Sequence, residues 1–357
     1  MKKETIIEII IILILILMLV FVFYKISNLK SGDFKEEQVP MKKNDQSSTS
    51  AETSGKIEVT DEQTLTGEYT TENQDESVIK TSDGGNLSLN NVTVTKKGDS
   101  TNTENSEFYG VNAGVLTTKN STTTINNTNI TTSGKGANAV FATGENAKVY
   151  VKDTTIKTTG ESSSRGLDST YGGYIEADNV DISTEGGSCA TLATDRGEGT
   201  GTFESKNSTL EILEDSDYYN SAPLFWVTNT KAIINLEQNT LKYGSNVLLK
   251  IEGTSELGKS GSNGGDTTFN MTNQDAEGDI EVDNISSLEM NVKDESKLTT
   301  CINSENTAKN ITLNIDSSSQ LTLTGNCYVT SLTDEDTTYS NIDFNGYTLY
   351  VNGTAIN

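Results

Sequence analysis

The chain has 357 residues, 33% of them hydrophobic, and 51 acidic against 26 basic side chains give it a net charge of −25. That balance keeps it soluble and argues against nucleic acid as a partner, because phosphate binding requires a concentrated basic face. No histidine occurs, which removes Ser-His-Asp and Cys-His catalysis, histidine zinc sites and imidazole pH sensing.

At the start, Lys2 and Lys3 precede an unbroken apolar run from Ile9 to Phe23, which Ile6 and Ile7 extend around Glu8. Such a run is long enough to cross a bilayer as a helix, with Tyr24 at the interface. No small-residue cleavage site follows, and no nearby cysteine could carry a lipid, so residues 1–25 are expected to be a retained signal anchor. Residues 26–55 are polar and aperiodic and read as a flexible tether. The expected protein is single-pass, inserted in the cell membrane, with a C-terminal domain over 56–357 outside the cell.

That domain repeats. ITTSG at 130–134, IKTTG at 156–160 and ISTEG at 182–186 superimpose with a shift of 26, which aligns Ile130, Ile156 and Ile182, and also Gly134, Gly160 and Gly186. The same shift aligns Ile125, Val151 and Ala177, and brings Asn127, Asp153 and Asn179 to one position suited to a tight bend. Upstream, Gly110 and Gly136, Asn112 and Asn138, and Val115 and Phe141 follow the same step. Val94 and Ile130 are ten residues further apart, and the excess falls in GDSTNTENSEF, which reads as a loop insertion. Downstream the phrase blurs, but apolar residues still alternate with polar ones.

A unit this short cannot bury its own apolar face, whereas stacked units form continuous internal ladders. The predicted fold is therefore all-β: a right-handed parallel β-helix, the hand following the crossover rule, with about eleven coils of about 26 residues over roughly 50 Å.

Cys301 and Cys327 are one repeat apart and could stack, either as a disulfide or as two buried free thiols. The same step puts Cys189 in a small-residue ladder with Ala137 and Ser163. Residues 217–227 gather Tyr218, Tyr219, Phe225 and the single tryptophan, Trp226, around Pro223. These aromatics could stack on sugar rings or pack inside the solenoid.

The only two arginines, Arg165 and Arg196, each precede a glycine and lie near Asp168, Asp195 and Glu198. A strict step of 26 places Arg165 opposite Ala139 and Thr191, and Asp168 opposite Ala142 and Thr194. Three readings are open. Guanidinium forks could stitch coils together where glycines let backbones approach. Carboxylates could hold Ca²⁺ against an acidic sugar while an arginine acts as base, as in a polysaccharide lyase. Asp168, Asp195 and Glu198 could instead supply acid and base for glycoside hydrolysis.

SRGLDSTYGGYIEADNVDISTEGGSCATLATDRGEG at 164–199, with residues 110–144 before it and the final 35-residue phrase, resembles a family of uncharacterised, adhesin-like β-helix surface proteins of Firmicutes. The resemblance spans most of 57–357. It implies a pectate-lyase-like superfold and a surface location, and brings no catalytic residues with it. SAPLFWVT at 221–228 departs from the family's usual Ser-Pro phrase. The expected function is adhesive or carbohydrate-binding, toward an extracellular glycan or protein, without catalysis and without a cofactor. The alternative is a Ca²⁺-assisted polysaccharide lyase.

Overall fold

A computed structural model describes residues 51–357, apart from 163, 195, 196 and 254–262. The expected anchor, and the tether up to residue 50, lie outside the described residues, as do the candidate site residues Asp195 and Arg196. Among the described residues no helix is long and apolar enough to cross a membrane.

Alternating apolar and polar residues, many of them β-branched, favour strands. The regular structure of the described residues is nearly all β, with one short helix, here α1, at Thr103–Tyr109. Two long sheets, of nine and fourteen strands, are accompanied by sheets of four and three strands toward the C-terminal end. Pairing within both long sheets is parallel, each strand bonding to its counterpart in the preceding and following segment. Eleven strands form the main path of the larger sheet, an order consistent with a solenoid.

The apolar ladders read in the sequence are real pairings. Ile125, Val151 and Ala177 share one line, and Ile130, Ile156 and Ile182 another. None of the six is more than 2% exposed. Each fully buried isoleucine contributes about 1.5–3 kcal/mol relative to an exposed one. Phe225 of the nine-stranded sheet lies 6.0 Å, centroid to centroid, from both Phe203 and Phe269 of the larger sheet, so the core sits between the two.

Asn127, Asp153 and Asn179 occupy their common bend with φ of 47°, 48° and 56°. Asn and Asp tolerate this left-handed conformation better than bulkier residues do. The Asn179 side chain also donates to Asp153 Oδ1 at 2.6 Å, linking successive bends.

The aligned glycines have a different cause. A Cβ on Gly134 would strike the carbonyl of Gly98, one on Gly160 the carbonyl of Gly134, and one on Gly186 the carbonyl of Gly160. Backbones touch here, so no side chain fits. Gly160→Ala should lower stability by about 1–3 kcal/mol, the usual cost of overpacking. An unchanged melting temperature would mean that this contact yields without cost.

The 26-residue step holds in the larger sheet from Thr122 to Thr184; further along that sheet the step varies, Phe203 pairing with Ile234 and Phe269 with Met290. Over the coils where it holds, it fails in the nine-stranded sheet. Val115 pairs with Val140, so Phe141 faces Leu116 instead of Val115. Asp168 lies opposite Phe141 and Thr191, in place of Ala142 and Thr194, because Leu167 pairs with Val140 and then with Ala190. Arg165 falls in register with Asn138, whose Oδ1 accepts its backbone N–H at 2.9 Å, while Ala139, one position on, donates its N–H to the Arg165 carbonyl. Cys189 comes to lie beside Gly166, out of line with Ala137. Over these coils, bends of unequal length shift one sheet while leaving the other in step.

On the outer face of the larger sheet, Asn235, Asn270, Asn291 and Asn314 stand in register. Each carboxamide donates to the one before it, at 2.7–2.9 Å, and Asn235 donates to Glu204 at 3.2 Å.

Candidate functional site

The inserted phrase after Val94 is partly helical. Asn102 caps α1, its side chain accepting from the Asn105 N–H at 3.2 Å, and Gly110 ends it in a left-handed conformation at φ 69°. These are ordinary start and stop residues for a helix. The expectation of a plain loop missed them because polar turn-formers surround one short apolar pair, Phe108 and Tyr109.

α1 packs on the outer face of the nine-stranded sheet. An outward row of this sheet runs Leu116, Phe141, Asp168, Thr191, Trp226, Lys250 and Glu281, and α1 lies against its early part. Leu116 and Phe141 are fully buried although they point away from the interior. Phe108 packs on Ala193, Thr170 Oγ1 donates to the Phe108 carbonyl at 2.9 Å, and Asn138 Nδ2 donates to the Ser106 carbonyl at 3.2 Å.

Beneath and beside the helix sits a cluster of charged groups. The Arg165 side chain is 3% exposed and its Nη2 lies 3.5 Å from Glu107 Oε1. Its guanidinium carbon stands 4.8 Å from the ring centroid of Trp226, a cation–π arrangement. Trp226 Nε1 donates to Glu252 Oε1 at 2.8 Å, and Lys250 pairs with Glu252 at 3.2 Å.

Asp168 is 1% exposed, and neither of its carboxylate oxygens accepts a well-formed hydrogen bond. Burial pushes its carboxyl up to about 7. The Arg165 charge opposes that rise, the Glu107 carboxylate adds to it, and the neighbouring Thr191 hydroxyl favours the ionised form weakly. Thr191 Oγ1 is itself buried and outside hydrogen-bonding geometry.

The open part of the site lies beside the C-terminal end of α1. Tyr109 stacks on Tyr171, with ring centroids 5.6 Å apart and planes 14° from parallel. Both are half-buried, and together they wall an open groove of about 970 Å³. Lys119, Glu145 and Asn146 line it, Lys119 and Glu145 being 3.7 Å apart. Glu198, from the sequence-derived set, is exposed and also lines this groove.

The candidates therefore divide. Arg165, Asp168 and Trp226 come together under cover, while Glu198 lies at the groove with Tyr109 and Tyr171. Tyr218 and Tyr219 are half-buried and do not line the groove, and the Tyr219 ring packs against Gly244. Glu107 and Tyr109 were missed because one lies in, and the other directly after, an insertion that has no repeat partner, and Tyr171 becomes notable only through its stacking on Tyr109. Among the described residues no three His, Cys, Asp or Glu side chains converge as a metal site. The chain matches no family model, no curated protein and no solved structure.

Proposed function

We propose that this chain is a membrane-anchored, right-handed parallel β-helix of about eleven coils, displayed outside the cell as an adhesive, carbohydrate-binding protein without catalytic turnover. The observation that carries the reading is the open groove beside α1, walled by stacked Tyr109 and Tyr171. An amphipathic ring offers a sugar both an apolar face and a hydroxyl. Lys119, Glu145, Asn146 and Glu198 add polar groups of both signs along the same groove, as a hydroxyl-rich ligand requires.

The burial of Asp168 and Arg165 supports a role without turnover. A lyase or hydrolase needs its base and acid within reach of the scissile bond, and α1 stands between Asp168 and solvent. Membrane insertion rests on the apolar run before Tyr24.

The test is binding of the full-length chain to immobilised plant and microbial glycans. Tyr171→Ala should weaken binding by about tenfold or more, the equivalent of about 1.4 kcal/mol. Equal binding by the variant, or no glycan bound at all, would remove the groove from consideration. Incubation with polygalacturonate and Ca²⁺ should produce no absorbance from unsaturated sugar ends, and its appearance would establish turnover.

A further inference from the structure

Near the C-terminal end, Cys301 follows the strand Lys297–Thr300, and Cys327 opens the strand Cys327–Val329 one coil later. Each sulfur is held by backbone flanking the other cysteine. The Cys301 thiol donates to the Asn326 carbonyl at 3.3 Å, while Cys327 Sγ accepts the Ile302 N–H at 3.1 Å. This reciprocal arrangement makes the two thiols neighbours, each against the backbone beside the other cysteine. Gly325 leaves the room: a Cβ there would come within 2.8 Å of Cys301 Sγ.

The two are not equivalent. Cys301 is 7% exposed and Cys327 is fully buried. The Cys327 thiol donates to the carbonyls of Gly325 and Thr300, at 3.6 and 3.8 Å, and the neighbouring cysteine holds Cys301 below the usual thiol range and pushes Cys327 above it. The third cysteine stands apart: Cys189 is buried beside Gly166, with Thr184 Oγ1 as its 3.9 Å neighbour, and burial pushes it up to about 12.

We propose that Cys301 and Cys327 form an oxidative modification site, at which a low-molecular-weight disulfide converts the pair to an intrachain disulfide joining successive coils. Cys301 loses its proton and attacks one sulfur of the small disulfide, and the other half leaves as a thiol. Cys327 then loses its proton and attacks the Cys301 sulfur, releasing the second half as a thiol. Two protein thiols are oxidised, one disulfide is reduced to two thiols, and the protons pass to the departing thiolates. The thiolate is the nucleophile, so the more exposed sulfur with the lower pKa leads. The closed bond restricts the unfolded chain between 301 and 327 and so favours the folded state.

The experiment treats the full-length reduced chain with excess glutathione disulfide, then unfolds and alkylates it before peptide mass spectrometry. The alkylated cysteines should fall from three to one, with Cys189 the survivor. The Cys301 and Cys327 peptides should be joined, and the oxidised protein should melt several degrees higher than the reduced one. Two variants fix the order of attack. Cys327→Ser should stop at a persistent glutathione adduct on Cys301, and Cys301→Ser should leave Cys327 unmodified while far-UV circular dichroism stays unchanged. Three alkylated cysteines after oxidation, or a stable adduct on both thiols of the parent chain, would overturn the site. Adduct formation on Cys327 in the Cys301→Ser variant would overturn the order. None of these outcomes bears on glycan binding at the distant tyrosines, so the two proposals fail separately.

Discussion

Replacing Arg165 with alanine should lower stability by about 3–5 kcal/mol, the range expected when one partner of a buried charge pair is removed. The guanidinium lies between the Glu107 carboxylate and the Trp226 ring, and its charge is the chief one favouring ionised Asp168. Without it, the buried Asp168 keeps the unfavourable influence of the Glu107 carboxylate and loses the charge that opposes it. Arg165→Lys keeps the charge but loses the planar group that stacks on the indole, and it should still cost more than the 0.5 kcal/mol of an ordinary surface change. Chemical denaturation of the parent and both variants measures this. Equal midpoints for parent and Arg165→Lys would show that the planar group contributes nothing beyond its charge.

The second large effect is a pH dependence. Asp168 titrates near 3.8 when unfolded and at about 7 when folded. Its contribution is therefore complete below the ordinary carboxylate range and declines as pH rises toward about 7, because only the unfolded chain ionises it cheaply. Above that value the loss is constant and amounts to several kcal/mol. Asp168→Asn should melt higher than the parent at pH 8, by several degrees, and should show little difference at pH 4. Thermal scans from pH 4 to 9 read both. A parent more stable than Asp168→Asn at pH 8 would mean that the carboxylate is ionised and well compensated where it lies.

How much of this could be read from the sequence depends on what repeats. Ile130, Ile156 and Ile182 recur because stacking places identical side chains in one internal line, and the bends at Asn127, Asp153 and Asn179 recur because the backbone must turn left-handed there. Both signals are periodic, so both were legible. Gly134, Gly160 and Gly186 were legible as a pattern, although the cause, a carbonyl pressed against each α-carbon, appears only in three dimensions. The site was mostly illegible. Asp168 is one of a kind along its row, its neighbours in register being Phe141 and Thr191. Its placement depends on a register that two bends of unequal length shift out of step. α1 was hidden for a related reason, since it occurs in a single coil and its short apolar side has no counterpart above or below. The two-arginine signal led, at Arg165, to a covered cluster and away from the groove.

Every strand of the two long sheets bonds to its neighbours along the direction in which the coils follow one another, and the asparagine line from Asn314 back to Glu204 runs the same way. Tension applied along that direction meets these bonds in series, so the weakest coil opens first and its neighbours follow one at a time. Tension applied across it is shared by many bonds at once. The same protein should thus peel at low force when pulled by its two ends and resist strongly when sheared from the side.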